Sequence, residues 1–476
     1  MQINPELRKV REHQTIEMSQ ELSEDEITSL ILLNENHEIP FEEIQRQVEE
    51  IKVDLFGSSN GARNASVLNT SYLALKRGNN AAMRIEEDSI TLAYVVNFTD
   101  ENNEPAGHAI ISADDRVPGV LSFAASGAIE DTISNPGLAI FVTRVEDYML
   151  SQIEKFESEY DSLLETAYAK LLANLPDSLV YLFEDSTTSG GRVAPPPDDD
   201  PCVDCMIVTR YEFGPWSDIT NTGHLLNTTW EQWAPYNDSI PHSCAAGGNA
   251  PAGCGAIAAS QILAFHQSPA SHHGMTYDWS QINSKSTTAP TDPWAPQVSH
   301  LVAHAANHLL SITACDETIT LPENTFGNFI FYFGYTYDRY TDYDKNLIEA
   351  SIVANMPVHM QGMARKHTTA GIPTYTQGHI WVADGFRYRQ RSKETIVEIV
   401  DQNGVVYHST SSFSTDYQKL FHQNWGWDGR DNGWYLEGVF DTNAGPTISS
   451  NSRTESEGEP GNYQYRVMAI TGIEPN

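Results

Sequence analysis

APAGCGAIAASQILAFH occupies residues 250–266. Pro251 and the small residues around Gly253 suit a tight turn, and the run from Gly255 to Phe265 favours a helix that HQSP (266–269) stops. Cys254 then sits at or near a helix N-terminus. The positive end of the helix dipole favours a thiolate there, and the thiolate is the form that attacks carbonyl carbon. Gly253 and Gly255 would let a substrate backbone approach the sulfur. A buried structural cysteine fits the same segment, so on these residues alone both readings stay open.

A nucleophilic thiolate needs a base beside it, and two later segments offer partners. TQGHIWVADGFRY (376–388) places His379 at the head of an apolar strand. FHQNWGWDGRDNGWYLEG (421–438) is a turn rich in Gly and Trp that holds Asn424 and Trp425. A histidine beside the sulfur gives a thiolate–imidazolium pair and later protonates the leaving amine. An amide such as Asn424 can fix the tautomer from the far ring nitrogen. The chain has 16 histidines, so spacing alone does not select His379.

Four segments in order resemble the streptopain family of secreted bacterial cysteine peptidases. They are WEQWAPYN (230–237), GCGAIAASQIL (253–263), GHIWVADGF (378–386) and NWGWDGRDNGWY (424–435). AGHAIISADDRVPGVLSFAASG (106–127) is similar to a hairpin of the family's propeptide. The resemblance implies an α+β fold, with a papain-like two-lobed catalytic domain (a helix plus a twisted antiparallel sheet) preceded by an α+β propeptide domain. It implies Cys254 as nucleophile and His379 as general acid–base. It places Trp425 where an indole shields the histidine and Asn424 beside it, with the Cys254 N–H as one oxyanion-hole donor. No cofactor or metal is expected. The family's glutamine seven residues before the cysteine is replaced by Gly247, and Asn249 or Gln232 are the nearby substitutes. Asp428 interrupts the usual Gly-Gly.

The rest of the chain sets the frame. At 476 residues it is long for one core. The net charge of −36 repels phosphate backbones and argues against nucleic-acid partners. No apolar run is long enough to span a membrane, and the first residues lack the apolar region of a signal peptide. IPFEEIQRQVEEIKVDLFG (39–57) carries Ile44, Val48, Ile51 and Leu55 at helical spacing. SITLAYVVNFTD (89–100) and residues 107–127 read as strands. A long helix is expected from about 137 to 184, and a terminal strand within 463–476.

TTSGGRVAPPPDDDPC (187–202) reads as an exposed linker. We therefore expect an inhibitory propeptide over residues 1–200 and a peptidase domain over 201–476. Cleavage near 185–202 would then release a cysteine endopeptidase acting on polypeptides, secreted or at the cell surface. The propeptide would act as its intramolecular inhibitor. A non-catalytic protein-binding or inhibitor relative of the fold is the alternative.

The remaining motifs read plainly. Cys202 and Cys205 have the spacing of a zinc or redox pair but lack its context, and are read as a local disulfide or idle thiols. His304 and His308 lack the glutamate of a zincin and read as ordinary helix residues. His272 and His273 read as solvated loop residues, and Asp198–Asp200 as linker.

Overall fold

The computed structural model describes residues 22–57, 69–76, 91–130, 133–175, 205–245, 247–320, 332–369, 372–441 and 465–476. The architecture is α+β, as the sequence predicts, with helices and a large antiparallel sheet. The predicted linker at 187–202, with Cys202 and the Asp198–Asp200 run, lies outside the described residues.

Two compact units make up the chain, and each draws on both sides of residue 200. The first comprises Met1–Asn36, Lys155–Phe213 and Ser392–Ser414. Its core joins Ile27 and Leu30 to Ala167, Leu171, Ile207, Val397 and Ile399. Ser23 and Glu26 form a capping box on the helix Glu24–Ser29, and Lys170 Nζ binds Glu26 at 2.7 Å. The strand Met206–Phe213 pairs antiparallel with residues 393–400.

The second unit comprises His37–Glu154, Gly214–Arg391 and Thr415–Asn476. Its N-terminal part begins with the helix Phe41–Phe56, whose Ile44, Val48 and Ile51 are buried, with Leu55 packed at the edge of the same cluster. Their three- and four-residue spacing puts them on one face. That face meets Val96, Phe98, Ala109 and Ile111 from the strands Thr91–Thr99 and Pro105–Ser112. The predicted strands at 89–100 and 107–127 are these two plus Val120–Ala124. The long helix Pro136–Asn174 contributes its residues up to Glu154 to this unit.

The sheet of this unit joins strands far apart in the sequence. Val120–Ala124 pairs antiparallel with Gly433–Leu436, matching Phe123 to Trp434 and Ser122 to Tyr435. Residues before 130 and after 430 thus share one ladder. The strand Val358–Thr369 pairs with the first part of Ile372–Val400 and, on its other side, with Tyr465–Thr471, the predicted terminal strand. His379 sits opposite Gly362 in this ladder. It lies inside the strand rather than at its head, because residues 372–378 extend the pairing toward the tip of the hairpin.

Helices fill the other core of this unit. Ala256, Ile257, Ala259, Ile262 and Leu263 from the cysteine helix meet Val298, Leu301, Val302 and Ala305 from the helix Ala295–His308. Alanines on the first helix let the second approach closely. The cysteine helix is apolar on nearly every side, as befits an element with other structure packed all around it.

Candidate active site

Cys254 is the first residue of the helix Cys254–His266, and Gly253 is its N-cap with φ of 90°. Among the described cysteines it alone is free. Cys244 and Cys315 form a disulfide, and Cys205 is also disulfide-bonded.

The backbone N–H groups of Ile380, Gly255 and Cys254 itself face the Cys254 sulfur and draw its thiol downward. The Ile380 contact sets the sulfur against the residue that follows His379 in its strand. Burial nevertheless outweighs these donors and pushes the thiol above its ordinary value. The expected open space beside the flanking glycines is filled. A Cβ on Gly253 would come within 2.7 Å of Thr318 Cγ2, and one on Gly255 within 2.9 Å of Thr320 Oγ1. The Cys244–Cys315 bridge tethers the segment that carries these threonines, and Thr318 Oγ1 donates to Pro251 O at 2.6 Å.

His379 is buried, with 1% of its surface exposed. Its Nε2 lies 2.8 Å from the carbonyl oxygen of Trp425. A carbonyl can only accept, so this contact places the proton on Nε2 and leaves Nδ1 with its lone pair. Burial drives the imidazole down to about 4, opposed by the carbonyl contact. The ring stacks on Trp381 at 6.1 Å and meets Trp427 edge-on at 6.4 Å.

Trp425 thus meets the histidine through its carbonyl. Its indole packs instead against Trp381, Tyr435 and Phe440 and donates from Nε1 to Asp431 O at 3.0 Å. Asn424 bonds elsewhere too. Its Nδ2 donates to Thr228 O at 2.7 Å, and its Oδ1 accepts from Gln261 Nε2 at 3.3 Å and from Gly426 N–H at 3.2 Å. Gln261 Oε1 accepts from Trp230 N–H at 3.1 Å. Asn424 and Gln261 therefore lock the tryptophan turn to the cysteine helix and to the 228–230 segment. Gln261 lies two helical turns beyond Cys254, within GCGAIAASQIL, but nothing in a single sequence marks it as more than a helix polar group. Asn249, a possible oxyanion donor from sequence, spends its Nδ2 on the carbonyls of Asn237 and Asp238.

The turn that supplies the Trp425 carbonyl is gripped from residues 126–144. Asn135 Nδ2 donates to Asp431 Oδ2 at 3.0 Å, while its Oδ1 accepts from the Gly137 N–H at 3.0 Å. Ser126 Oγ donates to Gly429 O at 2.8 Å, and Arg144 Nε to Val439 O at 2.9 Å. Gly137 lies flat on the Trp425 ring, where a Cβ would fall 2.1 Å from Cε3. Only glycine fits there.

Residues 230–435 match the model of the peptidase C10 family, the streptopain family. The match supports a cysteine endopeptidase. Two solved structures from Prevotella intermedia are similar to it. One is a prointerpain A fragment carrying a cysteine-to-alanine substitution, at 16% identity and a TM-score of 0.47, covering 86% of this chain and 100% of that chain. The other is active wild-type interpain A cysteine protease, at 18% identity and a TM-score of 0.34, covering 53% of this chain and 95% of that one. No curated protein matches the peptidase chain. Among the described residues, no helix is long and apolar enough to cross a membrane.

Proposed function

We propose that this chain is the latent form of a cysteine endopeptidase with Cys254 as nucleophile and His379 as its general base and acid. The observation that carries the reading is the free thiol at a helix N-terminus, facing the N–H of Ile380, which follows a histidine whose Nε2 is held by Trp425 O. In the reaction His379 Nδ1 takes the thiol proton as the sulfur attacks the scissile carbonyl. The Cys254 N–H, at the helix N-terminus, stabilises the oxyanion. Collapse breaks the C–N bond, the imidazolium gives its proton to the leaving amine, and a thioester remains. Water, deprotonated by His379, then hydrolyses the thioester and restores the thiol. Trp425 orients the histidine through its carbonyl, the task an asparagine side chain performs in other triads. Asn424 supports that turn from behind.

Residues 1–200 act as the propeptide in this reading, and 201–476 as the peptidase domain. The grip of Ser126, Asn135 and Gly137 on the tryptophan turn supports it, because the turn sets the position of His379. The raised thiol and lowered imidazole also favour a neutral, unreactive pair in the uncut chain. Cleavage near 185–202, after Arg192, frees the enzyme. Disulfides at Cys205 and Cys244–Cys315 fit an oxidising, extracellular setting, where polypeptides are the substrates.

The test is casein hydrolysis by the purified chain after limited proteolysis, beside Cys254→Ala. Activity in the parent alone, abolished by a thiol-directed epoxide, is the expected result. A cut but silent parent would overturn the reading in favour of a binding relative of the fold.

A further inference from the structure

Four histidines that the sequence scatters over 37 positions meet at one place. His272 and His273 lie on the hairpin of Ser271–His272 and Met275–Thr276, and His304 and His308 lie one turn apart near the end of Ala295–His308. One ring nitrogen from each falls within 4.8 Å of all the others. His272 Nε2 and His308 Nε2 are 3.1 Å apart. Two imidazole ligands at ordinary zinc distances in a tetrahedron stand about 3.3–3.4 Å apart, so the pair is already near ligand spacing.

The surroundings suit a ligand set better than a chance gathering. His308 is buried, His272 and His304 are half-buried, and His273 closes the solvent side. His304 Nδ1 is buried with no hydrogen-bond partner. Phe333 stacks on His272 and Tyr332 on His308, which holds those rings in place. His300, one turn before His304, packs against it at 4.2 Å and accepts or donates at Nδ1 with Tyr277 OH at 3.0 Å.

The set is all imidazole and contains no carboxylate. That selects a borderline transition cation, and disfavours calcium or magnesium, which require oxygen ligands. A second gathering, His242 with Cys244 and Cys315, is closed by the disulfide.

We propose that His272, His273, His304 and His308 form a binding site for one divalent transition cation of the zinc class. The ion would pin the 271–276 hairpin to the helix Ala295–His308, which packs on the cysteine helix through Val298, Leu301 and Ala305. Its role is structural, and it stands whether or not Cys254 is catalytic.

The experiment uses the full chain carrying Cys254→Ala, which removes the competing thiolate and prevents self-cleavage. The chain is stripped with EDTA and titrated with Zn2+, with bound metal counted and Tm recorded. One equivalent should bind with a Kd of about micromolar or tighter, and raise Tm. His273→Ala with His304→Gln, one exposed and one half-buried, should weaken binding about tenfold or more. Failure to bind, or equal affinity in the double variant, overturns the site. If the double variant does not fold, X-ray absorption of the zinc-loaded parent decides. An imidazole-only shell of four nitrogens supports the site, and a shell with sulfur or carboxylate oxygen overturns it.

Discussion

His379 Nε2 stands 2.8 Å from the carbonyl oxygen of Trp425, and Trp425 belongs to the turn that Asn135 grips through Asp431. A single backbone oxygen therefore links the orientation of the histidine to the docking of residues 126–144. In the proposed reading catalytic geometry and latency share this one turn, so changes on the docking side should register at the thiol.

Alkylation of Cys254 reports that link directly. Burial raises the thiol and lowers His379 to about 4, so neither partner is charged in the uncut chain at neutral pH. Iodoacetamide should react slowly with the uncut chain, its rate climbing only above the ordinary thiol range. After linker cleavage the rate at pH 6–7 should rise about tenfold or more, as an ion pair becomes accessible. Rate profiles against pH, before and after cleavage, check this. Identical profiles would separate the thiol from any restraint by the propeptide.

Gly137→Ala tests the grip itself. The new methyl group would overlap the Trp425 ring, with backbone on one side and a fully buried indole on the other. Overpacking of this kind costs about 1–3 kcal/mol. The uncut variant should melt earlier and hydrolyse casein measurably, since the turn must shift. Asn135→Ala should act in the same direction, losing a helix cap worth about 1 kcal/mol as well as the Asp431 bond. A destabilised but silent variant would show that the turn is scaffold only.

Much of this was legible in the sequence, and the remainder shows where patterns stop. The cysteine helix was bounded almost to the residue because Gly253 and HQSP punctuate it. The helix at 41–56 followed from the spacing of Ile44, Val48 and Ile51. The task of holding His379 could not be read, because a backbone carbonyl leaves no trace in residue identity. An asparagine beside a tryptophan invites the assignment of that task to Asn424. The threonines beside Gly253 were hidden as well, since the Cys244–Cys315 bridge and the Thr318–Pro251 bond join residues far apart in the sequence. The histidine quartet was missed for a similar reason. Each pair looks ordinary alone, and only tertiary packing unites them.

Asn424→Ala distinguishes a supporting amide from a catalytic one. Its bonds go to Thr228, Gln261 and Gly426, and each is buried. Removing them should cost about 1–3 kcal/mol by leaving Gln261 and the Thr228 carbonyl short of partners. Below its melting transition the activated variant should keep the parent's pH profile, whereas His379→Ala should lose activity altogether. A displaced pH optimum in Asn424→Ala would assign it a direct hold on the imidazole.

Acid should unfold the chain before its carboxylates account for the loss. His379 and His359 are buried and lowered to about 4 and about 3 in the folded state, chiefly by desolvation. Both gain their protons near pH 6.5 once unfolded. Between those values the unfolded chain binds more protons, so stability present above pH 6.5 is lost as pH falls. Each histidine contributes a slope of up to about 1.4 kcal/mol per pH unit in that window. Urea midpoints of the Cys254→Ala chain at pH 7, 6, 5 and 4.5 should fall progressively. His359→Gln, which cannot charge, should flatten the decline. A midpoint that holds steady from pH 7 to 4.5 would mean that these rings reach water in the folded chain and are not the buried neutral groups described here.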